Sequence, residues 1–176
     1  MQPPVPICIF LSRREVEVFE PASNWHLVSI SDGPEDQAVI DEARWQTVSY
    51  HHFVDAGFDE DVIDIYGPDF EKHYVDYLLR SKADILRHRL HEIAAQGGCI
   101  TVNCHAGRSR SAAVARYLSS HLGYQLDKPT PDANMCVYRM LAMDERLMAA
   151  YQAATHEGQS ADPPQGLLAA LRKLFR

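Results

Sequence analysis

At 176 residues the chain has room for one domain with a substantial core. Its composition, 46% hydrophobic and 23% charged, is that of an ordinary soluble globular protein. A formal net charge of −7 argues against general nucleic-acid binding and against attraction to anionic membranes, so any affinity for phosphate has to be local.

Strand-like runs are expected at Val5–Leu11, His26–Ser31, Gln46–Val54 and Cys99–Asn103, with Ser31-Asp32-Gly33-Pro34 closing the second. Ile7 to Leu11 is short, follows no basic region and precedes Ser12-Arg13-Arg14-Glu15, so it reads as a first strand and not a signal peptide. Phe70, Tyr74, Tyr77, Leu78, Ile85, Leu90 and Ile93 recur at helical spacing. They lie between Asp69, an N-cap by its type, and the Gly97-Gly98 stop; a bend near Ser81 would split the run into two helices. Further helices fit Ser111–Leu122, Asp132–Ala142 and Asp144–Ala154. Alternating strands and helices predict an α/β domain over residues 1–157, with a central, mostly parallel sheet of about four to five strands flanked by helices. Gly158–Pro164 reads as a linker and Gln165–Arg176 as a C-terminal helix packing on the domain, with a membrane-surface or partner-binding helix as the alternative. No apolar run approaches the roughly 20 residues of a bilayer span, so no membrane span is expected. Cys8, Cys99, Cys104 and Cys136 have neither metal-type nor disulfide-type spacing, and a reducing cytoplasm is the expected location.

The chemistry concentrates in residues 100–111, Ile-Thr-Val-Asn-Cys-His-Ala-Gly-Arg-Ser-Arg-Ser. A strand that turns tightly into a helix presents a row of backbone N–H groups, which makes an anion cradle. A cysteine at its rim has its thiolate stabilised by the same dipole. Arg110 supplies a planar fork matched to two phosphate oxygens. The N–H groups from His105 through Ala106, Gly107, Arg108, Ser109 and Arg110 would hold a phosphoryl group. Gly107 permits a backbone angle that a side chain forbids, and Ser111 can donate to the thiolate.

The segment Val102–Ser111 resembles the signature loop of cysteine-dependent protein tyrosine and dual-specificity phosphatases, most closely the small dual-specificity-like group through Ala-Gly-x-Ser-Arg-Ser. Ile30-Ser31-Asp32-Gly33, Phe53-Val54-Asp55 and Asn134 ahead of Val137 and Leu141 extend the likeness to compact bacterial members. The resemblance implies a phosphatase-like fold and a hydrolase of phosphotyrosine, with phosphoserine or phosphothreonine also in reach, acting through a cysteinyl-phosphate. It implies Cys104 as nucleophile, Arg110 as phosphate clamp, Ser111 as thiol partner, an aspartic acid as proton donor, and no metal or cofactor. One position departs from the pattern: Asn103 stands where the family usually has a histidine. A less depressed thiol pKa is the expectation, with Asn103 still able to hydrogen-bond the loop.

The proton donor is expected upstream of Cys104. Asp55 follows the third strand at the sheet edge that carries Cys104, and Phe53-Val54-Asp55 fits the family's hydrophobic-x-Asp pattern. Asp59, Asp61 and Asp64 remain alternatives, in an acidic stretch that reads as a loop able to close over substrate. Asp69 is better explained as a helix cap. His51 and His52 point to opposite faces, which disfavours joint metal binding; His88 and His91 read as a solvated helix face. Cys8 or Cys99 could be a resolving thiol for oxidised Cys104, although a core role is the simpler reading. Asn134 could steady the loop. Inositol phosphates or other small anions are a second substrate class, and a phosphate-binding module without turnover is a third reading.

Overall fold

The computed structural model describes residues 5–159. The expected linker and C-terminal helix lie outside them, apart from Gly158 and Gln159, which continue the last helix.

Five strands form one sheet: β1 (Ile7–Ser12), β2 (Trp25–Ser31), β3 (Thr47–His52), β4 (Cys99–Cys104) and β5 (Gln125–Leu126). Their order across the sheet is β3-β2-β4-β1-β5 and every pairing is parallel. The four expected strands are present with ends shifted by one or two residues. β5 was not foreseen, because two residues carry no readable periodicity. β4 is buried from Ile100 to Cys104 and β2 from His26 to Ser31, as central strands covered on both faces must be.

The helices are α1 (Arg13–Val18), α2 (Glu60–Tyr66), α3 (Phe70–His73), α4 (Arg80–Gln96), α5 (Arg110–Leu122), α6 (Met135–Ala142) and α7 (Glu145–Gln159). Cys8, Phe10, Val28, Ile30, Ile100, Val102 and Cys104 enter the large core, which also takes the buried stripes of α4, α5 and α6. On the opposite face, Leu27 packs with Val16 of α1, Ala38 and Trp45 in a smaller cluster. Arg139 of α6 binds Glu60 of α2 and Asp144, tying three elements together.

The run from Phe70 to Gln96 takes the two-helix alternative, broken over residues 74–79 just ahead of Ser81: α3 ends at His73 and α4 starts at Arg80. Asp69 is not a side-chain cap; it pairs with Lys72 at 2.6 Å. The break between α3 and α4 has a tertiary reason. Tyr74 meets Phe58 edge to face and Tyr77 meets it at a tilt, and the chain between the helices is drawn toward the end of β3, where Val54 N–H donates to Asp76 O at 2.9 Å. The acidic stretch is also no loop throughout: Glu60–Tyr66 is a helix, capped by Asp59, whose carboxylate accepts from Val62 N–H at 3.0 Å. Among the described residues, no helix is long and apolar enough to cross a membrane.

Candidate active site

From β2 the chain moves outward to β3, while from β4 it crosses to β5 on the far side. The connections diverge above the carboxyl ends of β2 and β4, where open parallel sheets hold their ligands. Cys104 ends β4 there, and α5 begins at Arg110.

The loop between them is shaped by Gly107, which has φ +70°. A Cβ at this position would lie 2.5 Å from the Leu11 carbonyl carbon and 2.7 Å from Ser12 Cα, so only glycine lets the loop press on the end of β1. Arg13 N–H donates to His105 O at 3.2 Å, fixing the other side of that contact. Among the described residues, the backbone N–H groups of His105, Ala106, Arg108 and Ser109 donate to no protein acceptor.

The Cys104 thiol is buried, with Ser111 Oγ 3.2 Å from Sγ and Gly107 N–H donating to it at 3.3 Å. Burial pushes its pKa up, but the Ser111 hydroxyl, the Ser111 and Gly107 N–H groups and the Arg110 guanidinium together bring it below the ordinary thiol value. Asn103 is not among these groups: its Oδ1 is buried without a hydrogen-bond partner among the described residues, so the bond to the loop of which it is capable is not made by that atom.

Arg110 is 3% exposed. Its Nη1 donates to Asp32 Oδ1 at 2.6 Å and to Phe53 O, while its buried Nε has no partner. Asp32 lies in the Ile30-Ser31-Asp32-Gly33 segment of the sequence likeness, which assigns it no role; its place directly after β2, at the same sheet edge as Cys104, is the signal that points to Arg110.

Asp55 is brought to the loop. Its Oδ1 accepts from Ser109 Oγ at 2.7 Å and from Asn134 Nδ2 at 3.0 Å, which leaves Oδ2 without a protein partner among the described residues. Asn134 also donates to Ala56 O, and its own N–H donates to Ser109 O at 3.2 Å, so it clamps the acid segment to the loop. Asp59 is engaged as the α2 cap, and Asp61 and Asp64 are exposed on that helix. Arg108, His105 and Ala106 are exposed on the loop rim.

The remaining candidates separate from the site. Cys8 faces the same side as Cys104 but lies four residues back along β1 from Ser12, the register partner of Cys104, roughly 13 Å away. Cys99 opens β4, five residues back and on the opposite face. Neither is within disulfide reach of Cys104. Burial, with His52 and Arg89 nearby, drives the pKa of His51 down to about 4. His52 bridges Ser31 Oγ at 3.0 Å and Gln37 at 3.1 Å, bracing the turn that carries Asp32. His91 meets Tyr117 OH at 2.9 Å and His88 pairs with Glu92.

A cavity of about 210 Å³ opens beside Arg110 and reaches Asn103 and Asp36. Comparison with known proteins found no matching family model, no matching curated protein and no matching solved structure.

Proposed function

We propose that the chain is a cysteine-dependent phosphomonoesterase working through a cysteinyl-phosphate intermediate. The observation that carries this reading is a set of unused donors converging on a thiol. The N–H groups of His105, Ala106, Arg108 and Ser109 and Arg110 Nε have no protein acceptor among the described residues, while the Gly107 N–H and Ser111 Oγ bond the Cys104 thiol and bring its pKa down.

The Cys104 thiolate attacks phosphorus, the S–P bond forms and the P–O bond to the alcohol breaks. The loop N–H groups and Arg110 hold the three phosphoryl oxygens and the charge that develops on them. Asp55, through its free Oδ2, gives its proton to the departing oxygen. The resulting carboxylate then takes a proton from water, whose oxygen attacks phosphorus and releases inorganic phosphate. Ser111 hydrogen-bonds the sulfur as it leaves, which lowers the cost of expelling a thiolate.

Phosphotyrosine in proteins is the substrate class that the sequence resemblance implies. A second class, small phosphate esters, is favoured by the cavity beside Arg110, whose lining among the described residues has the exposed His105 as its one aromatic side chain and so no pair of rings to sandwich a phenyl group. The test is hydrolysis of p-nitrophenyl phosphate by the wild type and by Cys104→Ser, with acid quenching to trap the phosphocysteine. Turnover and a trapped adduct in the wild type alone are expected. Phosphate binding without turnover in both would replace the enzyme by a binding module.

A further inference from the structure

The polar wall of the cavity beside Arg110 is made by Arg13, Ser31, Asp32, Asp36, Asn103 and Arg110, with Ile30 and His105 completing the lining. Two of its buried polar atoms have no partner among the described residues. Asn103 is 1% exposed, yet among the described residues its side-chain Oδ1 has no hydrogen-bond partner, and neither has Arg110 Nε. Ser29, the register partner of Asn103, and Thr101, two residues back on the same face, also hold buried hydroxyls with no partner among the described residues, but they do not line the cavity. Buried polar groups are nearly always bonded, so unbonded ones on residues that wall an open cavity mark a place where another molecule completes the bonding.

We propose that this cavity receives the hydroxylated alcohol part of a small phosphate ester, a sugar or polyol phosphate, while the Cys104–Arg110 loop holds its phosphoryl group. The inference rests on the phosphatase reading above and names its substrate class. A hydroxyl both donates and accepts, so it satisfies the Asn103 amide in either orientation and the Asp32 and Asp36 carboxylates as well. A second phosphate fits poorly beside those two carboxylates, and Arg13 is already paired with Glu17 at 3.3 Å. A phenyl ring would meet only Ile30 and the exposed His105 imidazole and would strand the polar groups of the remaining six lining residues. At about 210 Å³ the cavity is smaller than the range typical of drug-sized ligands, which suits a single sugar or cyclitol.

The test compares kcat/KM for glucose 6-phosphate and myo-inositol 1-phosphate with that for n-hexyl phosphate and a phosphotyrosine peptide. At least one hydroxylated ester should exceed n-hexyl phosphate by about tenfold or more, since a site built for hydroxyls rejects an analogue lacking them. In Asp36→Asn that ratio should shrink severalfold. A hexyl ester or phosphopeptide turned over as well as both hydroxylated esters overturns the inference and leaves the phosphatase reading intact. If no ester, p-nitrophenyl phosphate included, is hydrolysed, the phosphatase reading fails instead. Calorimetric binding of the same esters to Cys104→Ser needs no turnover and decides the ligand preference independently: equal affinity for hexyl and hydroxylated esters refutes it.

Discussion

Replacing Gly107 by alanine tests the geometry of the loop most directly. The new Cβ would sit 2.5 Å from the Leu11 carbonyl carbon and 2.7 Å from Ser12 Cα, with Ser12 N nearer still. These are backbone atoms and cannot swing away. Ser12 N–H is also held by Glu15 Oε2 at 2.7 Å in the capping box of α1, so β1 resists giving way. The φ of +70° adds the left-handed penalty. Left-handed strain and overpacking together cost about 2–5 kcal/mol, which for a domain of this size lowers Tm by roughly 4–20 °C. Relief requires the loop to move on the order of 1 Å from Cys104 and Arg110, enough to lower kcat/KM for p-nitrophenyl phosphate about 100-fold. Thermal unfolding by circular dichroism and steady-state kinetics on the folded fraction measure the two effects separately. A Gly107→Ala protein with wild-type Tm and wild-type turnover would show that the loop does not press on β1 as described.

Ser111→Ala should raise the Cys104 pKa and slow iodoacetamide alkylation at neutral pH severalfold, because a donor that favours the thiolate is lost. The sign carries into stability. The folded pKa lies below the reference thiol value of 9.0, so the thiolate's contribution is full above that value and vanishes as pH falls through the folded pKa. Unfolding measured across this window should show the slope in the wild type and a smaller one in Ser111→Ala. Asp55→Asn should reduce kcat for phenyl phosphate by about 10²–10³, with a much smaller loss for p-nitrophenyl phosphate, whose leaving group needs less protonation. Equal losses on both substrates would move the acid elsewhere. Asp32→Ala should raise KM for phosphate esters about tenfold, because Arg110 loses the carboxylate that orients it 2.6 Å away; an unchanged KM would make the pair incidental. His51, with its pKa driven down to about 4, is neutral when folded, so stability should fall as pH drops from about 6.5 toward 4. His51→Gln should flatten that slope in acid-unfolding curves.

The sequence by itself determined the α/β class, four of the five strands and the strand-loop-helix at Cys104, because these rest on local order. β-branched runs, a glycine with a required backbone angle and the residue types around the thiol act within a dozen positions. The tertiary structure alone decided which distant groups complete the site. Asp32 reaches Arg110 across 78 positions of chain, and Asn134 reaches Asp55 across 79. The first contact exists because β4 lies beside β2, which sets the ends of the two strands at one edge, and the second because α6 packs on α5 and brings its N-cap residue Asn134 to the loop. The break between α3 and α4 was also decided by tertiary contacts: local periodicity allowed either one helix or two, and packing of Tyr74 and Tyr77 against Phe58 goes with the two-helix form. Asn103 was readable as an unusual residue in the loop. That it lies unbonded beneath a polar cavity follows only from the strands packed on either side of it.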